Sequence, residues 1–310
     1  MTMDIIEGQA REITYQPATE AVAEDFLASL DVAESSKDTY TRSLRQFISW
    51  LDDTGRQSLQ LQREDILAYK RYLKDSLSVY TVNQYLTAVR KLYQWLESQK
   101  IYPDITRGIK GLKKPEGYRK DTLTPEQLRE ALDAMDTDRL TGMRDYALFN
   151  LMARTALRDI EVSRALVEDM RLEAGQTVLD VQGKGRTAKD ALVVLYPDTL
   201  QPIRDYLQAR GKVDKSEPLF ISHSDRNSGD SLTTRSISRI VKKAFRRIGL
   251  DDKRITAHSL RHTAITLSIK GGASLHQAQA MARHKSPETT MVYFHNLKRI
   301  EEAAERHISF

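Results

Sequence analysis

The sequence predicts a mainly α-helical protein of two domains, with a small β-hairpin in the second. Three observations carry that reading. Apolar residues recur at helical spacing through most of the chain, one Gly- and Lys-rich stretch without apolar period divides it, and one later stretch changes to period two around a Gly-Lys-Gly turn. A chain of 310 residues, 40% apolar and 29% charged, suits two cores and excludes a disordered polymer. The expected organisation is a tail over 1–19, a helical bundle over 20–105, a basic linker over 106–121 and an α+β domain over 122–310.

At the start, MTMDIIEGQAREITYQ mixes acids with short apolar pairs and does not read as a signal peptide. SSKDTYTRSLRQFISWLDDTG reads as a helix with serine caps, with Leu44, Phe47, Ile48 and Leu51 on one face and a stop at Gly55. REDILAYKRYLKD and SVYTVNQYLTAVRKLYQWLESQ follow the same period, the latter with Val82, Leu86, Val89 and Leu96 inward. Arg42, Arg45, Lys70, Arg71, Lys74, Arg90 and Lys91 fall on outer faces, where they suit phosphates or simply solvent. Residues 106–120 of the linker, TRGIKGLKKPEGYRK, have six Lys or Arg against one Glu, so this stretch carries the whole net charge of +5 and leaves the remainder neutral. Its Lys110, Lys113 and Lys114 are candidate contacts to a polyanion.

Beyond the linker, LTPEQLREAL signals a helix start: Thr124 as N-cap, Pro125 in the first turn and Gln127 closing a capping box. RDYALFNLMARTAL continues as helix, and QTVLDVQGKGRTAKDALVVLYP forms the hairpin with Lys184 near its tip. TTRSISRIVKKAFRRIGL gives a helix with Ile237, Val241, Ala244 and Ile248 on one side. Arg235, Arg239, Lys242 and Arg246 fall opposite, as candidate phosphate contacts.

HSLRHTAITLSIKGG and MARHKSPETTMVYFHNL then gather His258, Arg261, His262, His284 and Tyr293. His258 and His262 have the spacing of a zinc-protease helix, but Ser259 stands where that motif needs its Glu base, and Arg261 would oppose a cation. No Gly-x-Ser-x-Gly elbow supports a serine hydrolase. An anionic substrate fits better, because an arginine fork donates to two phosphoryl oxygens at once and His258 stands one turn away. The chain breaks at Gly271-Gly272, and Ser286 and Pro287 start the helix that carries Tyr293. His262 and His295 read as packing or hydrogen-bonding residues.

TALRDIEV, GKGR, HSLRHT and ARHKSPETTMVYFH, in that order, resemble the successive motifs of the tyrosine recombinase (phage integrase) family, and the bundle before them resembles its core-binding domain. The resemblance implies that Arg158, Lys184, His258, Arg261 and His284 are catalytic, that Tyr293 is the nucleophile, and that Glu161 supports Arg158 or His258. It further implies a phosphotyrosyl DNA intermediate, with Lys184 protonating the leaving oxygen and His258 as proton acceptor, and no metal or other cofactor. Many members carry Leu-Gly before the second histidine. Here Ala282 and Arg283 stand there, and Arg283 reads as a DNA contact or an exposed side chain.

The implied partner is double-stranded DNA, held by a homotetramer on two sites through the C-terminal helix with Ile300, Ala303 and Ala304. A monomer in solution and an accessory directionality protein are left open. With about twenty residues before the first bundle helix, a simple Xer-like or mobile-element recombinase is expected. A type IB topoisomerase and a silent DNA-binding regulator are the alternatives. The absence of cysteine excludes disulfides and thiol catalysis, and no run approaches a membrane span, so the expected place is on DNA in the cytoplasm.

Overall fold

The computed structural model describes residues 19–114, 122–301 and 303–308, and the side chains of 298–301 are not described. The expected tail up to residue 18 and linker residues 115–121 lie outside the described residues. The chain divides into two compact units, one up to Glu116 and one from Gly117.

Among its described residues, the first unit is a bundle of four helices: α1 (Thr19–Ser29), α2 (Glu34–Asp53), α3 (Arg63–Ser76) and α4 (Val79–Ser98). Val82, Leu86, Val89 and Leu96 are fully buried, as their period of three and four requires. Phe47, Trp50 and Tyr69 pack ring on ring, the closest centroids 4.9 Å apart. Burial pushes the phenols of Tyr69 and Tyr93 upward, so both serve as neutral donors, Tyr93 to the Ser58 carbonyl at 2.7 Å. The expected serine cap on α2 is corrected: Ala33 is the N-cap and bonds through no side chain, because Ser35 and Ser36 already lie inside the helix.

The stretch from Thr106 to Leu112 is no free tether. Ile109 is buried in the bundle, Arg90 donates to its carbonyl at 2.6 Å, Lys70 donates to the Lys110 carbonyl at 2.8 Å, and Asn83 brackets Leu112 from both sides. Lys70 and Arg90, read as outer-face cations, are therefore occupied in holding the chain that leaves α4. Lys110, Lys113 and Lys114 remain exposed.

The second unit is built around α6 (Leu140–Thr155), which follows α5 (Pro125–Asp133) and is buried nearly all round. Thr124 and Gln127 form the expected reciprocal capping box at the start of α5, at 3.0 and 3.2 Å. A short α7 (Asp159–Ser163) leads to an antiparallel sheet of β1 (Met170–Glu173), β2 (Gln176–Val181) and β3 (Ala191–Val194), in that order. The expected hairpin is thus extended by β1, whose Met170 faces Leu179 in register. Then come α8 (Pro197–Arg210), α9 (Thr234–Arg247), α10 (Ala257–Lys270), α11 (Leu275–Ala282) and α12 (Pro287–Glu301). On α9, Ile237, Val241, Ala244 and Phe245 are buried in a core shared with α6. Among the described residues, no helix is long and apolar enough to cross a membrane.

Candidate active site

Helix α6 ends at Ala156, a fully buried alanine with φ +53°. A left-handed L-residue costs about 1 kcal/mol or more, so something must hold it there. Two guanidiniums do: Arg261 from α10 donates to the Ala156 carbonyl at 2.5 Å and Arg283 donates to it at 3.1 Å. Arg261 also donates to the carbonyl of Ala282, the last residue of α11. Those two bonds fix its plane and leave three of its five N–H donors for another ligand. Burial, then the charges of Arg158 and Arg283, push Arg261 down to about 9, so it stays a cation at neutral pH.

Arg158 lies at the turn into α7. Its guanidinium donates to one oxygen of Glu161 at 2.7 Å and its backbone N–H to the other, also at 2.7 Å. Glu161 is inaccessible to water, and Arg283 reaches the same carboxylate at 2.8 Å. Burial alone would raise the Glu161 pKa. The charge and hydrogen bond of Arg283, with those from Arg158, outweigh it and hold the carboxylate below its usual range.

The reading of Arg283 as exposed or as a DNA contact is therefore corrected. It is a half-buried strut with φ +54°, its side chain 10% exposed, bonded to Glu161 and to the Ala156 and Met281 carbonyls. Of the two partners expected for Glu161, Arg158 is bonded to it, and its second partner is Arg283.

His284 follows Arg283 directly. Burial, then the field of Arg261, Arg158, Arg283 and His258, push it down to about 4, so it is neutral at pH 7. Its Nδ1 meets the hydroxyl of Thr290, one turn before Tyr293 on α12, at 2.8 Å. A neutral imidazole accepting there presents Nε2–H as a donor. Arg158, Lys184, Arg283, His284 and Lys285 line one cleft, with Lys184 exposed at the β2–β3 turn beside Gly185 at φ +71°.

Tyr293 is only 5% exposed and packs with Ala156, Ala264, Ile265 and Ala282. Its ring lies nearly parallel to His284 at 6.2 Å between centroids. Its hydroxyl is hydrogen-bonded to Nδ1 of His262, whose ring meets His258 edge-on at 4.5 Å. His262 reads from the sequence as a packing or hydrogen-bonding residue; it does make a hydrogen bond, and the sequence does not show that its partner is the candidate nucleophile. The signal was its i+4 spacing from His258 on one face of α10. His295 is exposed, as a surface residue would be, and Ser259 helps cap α10 by accepting from the Thr256 N–H at 3.0 Å.

The expected phosphate contacts on α9 divide. Arg235 and Arg239 are exposed. Lys242 is half-buried and donates to the Asp252 carbonyl at 2.6 Å, and both Lys242 and Arg246 pair with Asp251, at 3.2 and 3.0 Å. These two cations hold the loop after α9 instead of standing open.

The motif order agrees with the comparisons. Residues 121–299, more than half of the chain, match the model of the phage integrase family. The chain belongs to the phage integrase family. Residues 23–100 match the family's N-terminal SAM-like domain. The tyrosine recombinase XerD of Xanthomonas axonopodis pv. citri is 30% identical over 294 residues, spanning 90% of this chain and 93% of that protein. XerD of Lacticaseibacillus casei is 29% identical over 282 residues, 87% and 92% of the two chains. The chain also shares its fold with the XerH site-specific recombinase in a post-cleavage complex with a palindromic difH substrate. That likeness has TM-score 0.75 at 21% identity, over 93% of this chain and 84% of the other. A lambda integrase dimer on a COC′ core site is similar at TM-score 0.69 and 14% identity, over 86% and 95%.

Proposed function

We propose that this tyrosine recombinase cuts a DNA strand by attack of Tyr293 on a backbone phosphate and rejoins it to a strand of a second site. The observation that carries the reading is the gathering of Arg158, Arg261, His284 and Tyr293 around the α6–α7 turn, with Lys184 on the same cleft. Oη forms a bond to phosphorus, and the bond from phosphorus to the 5′ oxygen breaks. Charge that builds on the non-bridging oxygens meets Arg158, the remaining donors of Arg261 and Nε2–H of His284. Lys184 supplies a proton to the leaving 5′ oxygen. His258 belongs to the histidine pair that serves the nucleophile. The products are a 3′-phosphotyrosine and a 5′ hydroxyl. A second 5′ hydroxyl attacking the phosphotyrosine reverses the step, so bond energy is conserved and neither metal nor ATP takes part.

Double-stranded DNA is the partner. Lys110, Lys113 and Lys114, with Arg235 and Arg239, meet its phosphates first, whereas Lys242 and Arg246 must give up Asp251 to do so. Four copies assemble on two sites by docking the segment after Tyr293 on a neighbour. Ala304 and Ile308 there are exposed, Ala303 is half-buried, and the Ile300 side chain lies outside the described residues. The place of action is DNA in the cytoplasm. A supercoiled plasmid bearing two copies of the target site, incubated with chelator, distinguishes the readings: recombinant circles support strand exchange, while relaxation without recombinants would make the protein a topoisomerase.

A further inference from the structure

The proton of the nucleophile has to leave a site that water barely reaches, since Tyr293 is 5% exposed. A phenol with an ordinary pKa near 10 is a poor nucleophile until that proton is taken. Its hydroxyl is hydrogen-bonded to Nδ1 of His262. With the hydroxyl as donor, His262 carries its hydrogen on Nε2, the form able to accept a proton at Nδ1. His262 reaches Tyr293 because α10 places it one turn beyond His258 on the same face, half-buried between α10 and α12. His258, at the exposed start of α10, stands edge-on to it with centroids 4.5 Å apart, on the way out to solvent.

We propose that His262 is a catalytic residue, the immediate proton acceptor of Tyr293. This rests on the reading of Tyr293 as the nucleophile. In the cleavage step the Oη–H bond breaks as the Oη–phosphorus bond forms, the proton goes to Nδ1 of His262, and the 5′ oxygen departs with a proton from Lys184. In the rejoining step His262 returns its proton to Oη as the phosphotyrosine bond breaks. Arg261, adjacent on α10, is committed to the Ala156 and Ala282 carbonyls, and His284 is committed through Nδ1 to Thr290, so neither takes that proton.

The test compares single-turnover cleavage by wild type, His262→Asn and His262→Ala on a nicked duplex that traps the adduct, with duplex binding measured in parallel. Asparagine puts an amide close to where Nδ1 stands, so it keeps a hydrogen bond to Oη but cannot carry a proton. General-base loss lowers the rate by about 10²–10⁴-fold. Both variants are expected to fall by that order while binding duplex like wild type, and added imidazole is expected to restore His262→Ala in proportion to its neutral fraction. His262→Asn cleaving at the wild-type rate would overturn the proposal, as would faster cleavage by either variant, which would make His262 a restraint on the tyrosine. Failure of imidazole to rescue a His262→Ala protein that binds duplex normally would also overturn it. Absence of any adduct from wild type would instead defeat the reading of Tyr293 on which it rests.

Discussion

Replacing Arg283 by glycine or alanine separates the two things that residue does. It neutralises a carboxylate that water cannot reach, and it holds a left-handed turn that an L-residue adopts at a cost. Removing one partner of a buried ion pair costs about 3–5 kcal/mol when nothing else remains. Here Arg158 stays bonded to Glu161 at 2.7 Å, so about half of that, roughly 2 kcal/mol, is expected for alanine, which keeps the φ of +54°. Glycine relieves about 1 kcal/mol of backbone strain, so Arg283→Gly should be destabilised by only about 1 kcal/mol. Urea unfolding followed by circular dichroism and duplex binding measures both.

The pH dependence carries the sign. Glu161 is held below its usual pKa, so its contribution in wild type is complete above the unfolded-state value and fades as pH falls through the folded-state one. Without Arg283 its pKa rises and the folded variant binds more protons in that range. The deficit of the variants should therefore be largest near pH 7 and shrink toward pH 4. In a Glu161→Gln background the same substitutions should cost at least about 0.5 kcal/mol less, the coupling of groups in contact. Equal deficits at pH 4 and pH 7, or additive double mutants, would refute the role given to Arg283.

Thr290→Val removes the hydroxyl that meets His284 Nδ1. With about 1 kcal/mol for that hydrogen bond, cleavage should slow about fivefold in single-turnover assays, with duplex binding unchanged. Gly142→Ala would place a Cβ 1.5 Å from the Asp136 carbonyl oxygen, so thermal unfolding should show a loss of about 2–3 kcal/mol despite the better helix former. Neutralising Lys110, Lys113 and Lys114 together should reduce the slope of log affinity against log salt by up to about 3 in a fluorescence titration. An unchanged slope would remove those lysines from the interface. Truncation at about Ile300 should leave cleavage and abolish strand exchange, scored on a two-site plasmid.

What the sequence displayed was what depends on neighbours in the chain. The inward face of α4, the Thr124–Gln127 box and the apolar stripe of α9 follow from spacings of three and four, and the structure reproduces them. Strand β1 was not legible because Met-Arg-Leu-Glu is four residues long and mostly exposed, with little alternation to detect. Arg283 was misread because its charge is matched by a carboxylate 122 residues earlier, and no local pattern records such a pairing. The same holds for Lys70 and Arg90, which looked like outer-face charges until the carbonyls of the following segment closed over them. His262 lay in plain view at i+4 from His258, but its value comes from α12 returning Tyr293 to that face of α10.

In the proposed reaction Tyr293 becomes covalently joined to DNA, and that bond can be isolated. Incubation with host DNA in the presence of chelator, followed by denaturation, nuclease digestion and peptide mass spectrometry, should recover a nucleotide on the Tyr293 peptide. The sequence of the attached strand then reports the target site. Tyr293→Phe keeps the ring against Ala156 and Ala282, so it should bind duplex and give no adduct. A protein–DNA adduct that persists in Tyr293→Phe, or one mapped to another residue, would contradict the account.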